Sequence, residues 1–126
     1  MKRRLVVLGA AVIACGACAS SGARGTARAE MREGVRAAER NYWQEALFRF
    51  EKASSIEPAN TEVLNNLAVA LEALGRYDEA LATYKKALAT GTKPIALRRN
   101  YAHFAEFYSS YAKGAKPKEG SSDASH

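Results

Sequence analysis

Cys15, Gly16, Ala17 and Cys18 form the stretch whose residue types and spacing could do covalent chemistry, because two thiols separated by two residues suit a redox pair or half a zinc site. A structural zinc needs a second pair of ligands. No cysteine follows residue 18, and the histidines are His103 and His126 alone. The pair also sits directly behind Leu5 to Ala14, an apolar run preceded by Lys2, Arg3 and Arg4. A positive start followed by an apolar segment too short to span a bilayer is the pattern of an export signal, so the thiols are read with export and not with redox or metal chemistry. Elsewhere His103 has no visible partner for base or ligand work, and no glycine-rich phosphate loop follows a strand. Glu30, Glu33, Glu39, Glu72, Glu79 and Glu106 fall at surface-type helix positions, where solvated glutamates are commonplace. No catalytic residues, no metal set and no cofactor are expected, which leaves an enzyme as the third-ranked reading.

The elements that must carry any function are set by a repeat. Residues 27–60 and 61–94 overlay with no gap: Glu45 falls on Glu79, Ala46 on Ala80, Leu47 on Leu81, Lys52 on Lys86, Ala53 on Ala87, Trp43 on Tyr77 and Phe50 on Tyr84. A fixed period of this size predicts a solenoid, in which each unit buries its apolar face by stacking on its neighbour. Residues 27–40 are rich in Ala, Arg and Glu and predict a helix ending at Asn41, followed by a second over 42–54. In the second copy Asn60 or Thr61 caps a helix whose apolar face includes Val63, Leu64, Leu67 and Leu71, Gly75 supplies the turn, and a partner helix runs over 77–90. Pro58 spaces the copies, Gly91 suits a left-handed helix end, and Pro94 suits the first turn of a further helix.

That third helix is expected over 95–112. Leu97, Tyr101, Phe104, Tyr108 and Tyr111 recur at spacings of four and three on one stripe, with His103 and Phe107 on the next. Two roles fit the aromatics Tyr101, Phe104, Tyr108 and Tyr111: capping the open end of the stack, or remaining exposed as a contact patch for a partner or a second copy of the chain.

Gly34, Trp43, Ala46, Phe50, Ala53 and Pro58 in the first copy, with Ala68, Gly75, Tyr77, Ala80, Tyr84 and Ala87 in the second, resemble the tetratricopeptide repeat pattern. The resemblance spans roughly residues 27–112 and implies an all-α fold, a short α-solenoid of two helix-turn-helix repeats plus a C-terminal capping helix. It also implies a concave groove lined by the first helix of each repeat, holding a peptide of another protein. By register the groove positions are Met31, Val35 and Glu39, then Asn65, Val69 and Glu72, then Arg99, His103, Glu106 and Phe107. Some members clamp a C-terminal carboxylate with Lys, Asn and Arg. Here Asn66 alone matches, while Met31, Val35, Ala96 and Asn100 stand where the clamp needs other groups, so chaperone-tail recognition of that kind is not expected.

Val12, Ile13 and Ala14 before Cys15 resemble a bacterial lipoprotein signal, which implies cleavage before Cys15 and its lipidation through sulfur. Cys18 is an alternative attachment site, and cleavage after Ala19 would instead release a soluble secreted or periplasmic protein. Gly16 lacks the aspartate that retains relatives of this signal type in the inner membrane, which gives a preference for the outer membrane. The expected organisation is signal 1–14, flexible tether 15–26, repeats 27–60 and 61–94, third helix 95–112 and a disordered tail 113–126. With Lys2, Arg3 and Arg4 set aside, 16 cations remain against 13 acids, so much of the basic balance belongs to the signal. Arg24, Arg28, Arg32, Arg36 and Arg40 recur every fourth residue, either as a solvated face with Glu33 near Arg36 or as a surface for anionic headgroups or an acidic partner. The expected partners are another envelope protein or peptide segment, the membrane through the N-terminal lipid, and a second copy as a homodimer. Nucleic acid is not expected, because export removes the chain from it.

Overall fold

The computed structural model describes residues 19–115 as five helices: α1 (Ala19–Glu39), α2 (Trp43–Ile56), α3 (Thr61–Ala73), α4 (Tyr77–Ala89) and α5 (Ile95–Ala115). Short turns between helices force antiparallel neighbours. Each helix packs on the next, and the odd-numbered helices also meet one another, α1 with α3 and α3 with α5. The result is an all-α short solenoid of two helical hairpins closed by a fifth helix.

Local chemistry explains where the helices stop. Asn41 and Gly75, equivalent by the repeat, hold φ of 62° and 75° and turn the chain within each hairpin. Their amides reach back alike, from Asn41 to the Ala38 carbonyl and from Gly75 to that of Glu72, at 2.9 and 3.0 Å. Glycine enters the left-handed region freely, and asparagine is among the few side-chain-bearing residues that tolerate it. The Asn60 side-chain oxygen accepts from the amides of Glu62 and Val63 at 3.0 and 3.2 Å, capping α3.

The core is a column of small residues interleaved with rings. Ala46, Phe50 and Ala53 on α2 and Ala80, Tyr84 and Ala87 on α4 are all buried. Gly34 lets the helices of the first hairpin close up: a Cβ built there would stand 2.4 Å from Cε1 of Phe50. α5 docks through aromatics, with Leu97 and Phe104 fully buried and Tyr101 and Tyr108 half-buried. Tyr84 meets Phe104 with ring centroids 5.3 Å apart, and Tyr77 makes edge-to-face contacts with Phe107 and Tyr111 at 4.9 and 4.8 Å. The Tyr108 hydroxyl donates to Asp78.

Several boundaries differ from the expected ones, among them α2, expected over 42–54 and found at Trp43–Ile56, two residues longer at its end. α1 begins at Ala19, so the tether expected over 15–26 is helical from residue 19 onward. Once the buried part of α1, beginning at Ala27, is fixed, each further residue costs little to add, and a glycine raises that cost by only about 1 kcal/mol. α5 continues to Ala115, three residues past the expected end and into the segment assigned to the tail. Gly91 is not in the left-handed region; α4 ends instead at Thr90, φ −72° and ψ 160°, whose hydroxyl and amide both donate to the Ala87 carbonyl. Pro94 precedes α5 by one residue, and its carbonyl accepts from the Arg98 amide at 3.2 Å. The segment 1–14 expected to be an export signal, Cys15, Cys18 and residues 116–126 lie outside the described residues.

Candidate functional site

α3 and α5 lie side by side, and two contacts fix how. Near their starts the Asn100 amide donates to the Asn65 side-chain oxygen at 3.1 Å. Near the end of α3, Tyr77, just past the turn, meets Phe107. The two helices therefore run parallel, with Arg99 and Asn100 level with Asn65 and Phe107 level with Glu72 and Ala73. By the repeat register the same bridge recurs one hairpin earlier, where the Asn66 amide donates to Met31 Sδ at 3.9 Å.

Between them opens a cavity of about 580 Å³. Val69, Glu72 and Ala73 of α3 form one wall, and Arg99, Asn100, His103 and Phe107 of α5 the other. Trp43, Tyr77 and Tyr84 reach in from the second helices. The volume suits one or two side chains or a short peptide segment. Tyr84 is fully buried, and its hydroxyl donates to Glu72 Oε2 at 3.1 Å. Burial, and the Glu72 carboxylate against it, hold the Tyr84 phenol well above the ordinary tyrosine range, so it acts as a fixed donor at neutral pH.

Of the groove positions drawn from register, Val69, Glu72, Arg99, His103 and Phe107 converge on this cavity. Met31, Val35, Glu39, Asn65 and Glu106 do not line it. Met31 packs on the core beside Asn66, and Asn65 is buried, its oxygen taken by Asn100 and its amide donated to the Asn66 oxygen at 3.4 Å. Val35, Glu39 and Glu106 are exposed. Trp43, Ala73, Tyr77, Tyr84 and Asn100 were not among the groove positions. Trp43, Tyr77 and Tyr84 coincide with aromatics in the repeat overlay, but that signal identifies packing rings and does not say that their edges reach the concave side. Tyr101, Phe104 and Tyr108 pack on α4 or the core, while Phe107 and Tyr111 are 44% and 41% exposed.

Two charged regions lie outside the cavity. Arg28, Arg32 and Arg36 on α1 and Arg40 just past its end are exposed, with Arg36 2.9 Å from Glu33. Glu30, only 12% exposed, receives Lys52 at 2.6 Å and Arg49 at 3.1 Å, and these hydrogen bonds hold its carboxyl below the usual value. Among the described residues no group of His, Cys, Asp and Glu is placed to hold a metal ion.

A family model described as Tetratricopeptide repeat matches residues 37–102, more than half of the chain, from the last turn of α1 into α5. None of the curated proteins matches the sequence.

Proposed function

We propose, because the chain belongs to the tetratricopeptide repeat family, that its work is to hold a peptide segment of another protein in the cavity between α3 and α5. The family's repeats serve protein–protein interaction and scaffolding and are typically not enzymes. The observation that carries the assignment to this place is the convergence of Val69, Phe107, Trp43 and Tyr77 with Glu72, Arg99 and His103 around one opening. Apolar walls with a few placed polar groups give contact area and orientation together. With two hairpins and one helix the groove is short, so affinity for an isolated peptide is modest and local concentration matters.

The setting we propose is a bacterial cell envelope, with Cys15, or alternatively Cys18, lipidated and the stack held at the outer membrane facing the periplasm. Support comes from the basic start, the short apolar run and the Val12-Ile13-Ala14-Cys15 sequence. In that setting the chain assists assembly of an envelope complex, in pilus or secretin, cell-wall or outer-membrane machinery. Mass spectrometry of the mature N-terminus decides the anchor: a diacylated or triacylated cysteine supports it, and a free Ser20 terminus sinks it. The groove is tested by a photo-crosslinking residue at Phe107 against one at Ala82, which is exposed on α4 away from the cavity. Crosslinks to one partner at Phe107 and none at Ala82 are expected; equal crosslinking at both positions overturns the groove. The exposure of Phe107 and Tyr111 favours a second reading, a self-associating scaffold, which light scattering of Tyr108→Ala plus Tyr111→Ala against the parent chain tests.

A further inference from the structure

The cavity has two chemically different ends. Arg99 precedes Phe107 by eight residues on one helix, which separates them by about 12 Å along the axis. Asn100 stands with Arg99 at one end, held there by its bond to the buried Asn65 outside the lining. At the other, Glu72 lies among rings: Tyr77 is edge-on to Phe107 at 4.9 Å, the Tyr84 hydroxyl donates to the carboxylate at 3.1 Å, and Trp43 closes the lining. His103 lies between the two ends and is exposed. Among the described residues Glu72 is the one acid in the lining. A carboxylate held by a buried donor and surrounded by aromatic rings attracts a cation twice, through its charge and through the negative faces of the rings.

We propose that this aromatic end receives a lysine or arginine side chain of the bound peptide, with Glu72 as its counter-ion. The inference rests on the groove reading above and specifies what the groove selects. The aliphatic stem of the cation fills space beside Val69 and Ala73, and its head lies next to Glu72. Arg99 and Asn100, two turns away, face the backbone carbonyls of the same peptide. Charge complementarity names the occupant: an acidic side chain at the aromatic end would meet Glu72 at close range.

Trp43 is the chain's single tryptophan and lines the cavity, so its fluorescence reports occupancy without a label. The purified full chain is titrated with the acetylated, amidated tripeptide Gly-Lys-Gly and with its norleucine counterpart, which keeps the stem and lacks the ammonium. The lysine peptide is expected to bind about tenfold more tightly, a difference of about 1.4 kcal/mol. Glu72→Gln, which still offers an oxygen to the Tyr84 hydroxyl, is expected to erase that preference. Phe107→Leu, which keeps apolar bulk and removes a ring, is expected to reduce that preference about threefold. Thermal melts of both variants check that the fold is kept. Equal binding of the two peptides, or a preference that survives Glu72→Gln, overturns the cation site while leaving the groove intact. Tighter binding of a glutamate tripeptide, dependent on Arg99, overturns it in favour of an anion. No response to any tripeptide also overturns it, and the crosslink at Phe107 then judges the groove by itself.

Discussion

α1 and α5 repeat the register of α3 but end the stack in opposite ways. On α5, the ring contacts of Tyr101 and Phe104 with Tyr84 and the bond from Tyr108 to Asp78 identify the face turned toward the preceding hairpin. The same positions on α3 and at its C-cap are Leu67, Ala70 and Leu74, buried or half-buried. On α1 and just past its end they are Glu33, Arg36 and Arg40, all exposed, and among the described residues no helix precedes α1. The other face turns toward a helix's own partner. There Gly34 meets Phe50, Ala68 is fully buried, and Ala102 on α5 is exposed because α5 has no partner helix among the described residues. Arg98 stands on α5 where Leu64 is buried on α3 and where Glu30 on α1 is held by Lys52 and Arg49. A backbone unit can be copied unchanged, but each side chain has to match the neighbour it meets, and where the neighbour is water the apolar residue gives way to charge.

The sharpest test of that contrast substitutes Phe104 and Arg36, which share one position. Phe104→Ala empties a fully buried site, costs about 3–5 kcal/mol, and should undock α5 and abolish the Trp43 response to peptide. Arg36→Ala touches an exposed pair and should leave the melting temperature in place. A large loss from Arg36→Ala would show that the N-terminal face has a partner after all. Next in size is Gly34→Ala. Helix propensity favours alanine by about 1 kcal/mol, but its Cβ would strike the Phe50 ring, so we expect a net loss of about 1–3 kcal/mol in denaturant unfolding. A neutral result would mean that α1 and α2 part at little cost. Gly75→Ala puts a Cβ at φ of 75° and should cost about 1 kcal/mol, whereas Asn41→Gly, at the equivalent turn, should be near neutral.

The smallest expected effect concerns pH. The Lys52 and Arg49 bonds lower the Glu30 pKa in the folded chain below its ordinary 4.5. The unfolded chain therefore binds that proton first, so the contribution is present above 4.5 and fades as pH falls through the folded value. Glu30→Gln should show a shallower loss of melting temperature on acidification than the parent chain; parallel curves would remove Glu30 from the closure of this end.

Much of this architecture was legible in the sequence because it depends on local chemistry and repetition. The hairpins followed from the gap-free overlay, the turn at Gly75 from its freedom in φ, and the α3 cap from the Asn60–Thr61 pair, of which the structure uses Asn60. Gly91 misled because a glycine after a helix permits a left-handed end without requiring one, and the Thr90 hydroxyl bound the last turn instead. Register placed Val69, Glu72, Arg99, His103 and Phe107 on the concave side but equally placed Val35 and Glu39 there, since register treats every copy alike.

The sequence by itself determined the repeated unit, the turns inside its hairpins and the polar and aromatic finish of the two end helices, because these follow from period, propensity and patterning within each copy. Only the tertiary structure decided which copies share a cavity, that Trp43, Tyr77 and Tyr84 cross from the second helices to line it, and that Tyr84 donates to Glu72. Those facts depend on how far one helix stands from another and on which side its rings emerge. That spacing is set by the packed volumes of residues distant in the chain, which no single copy of the repeat contains.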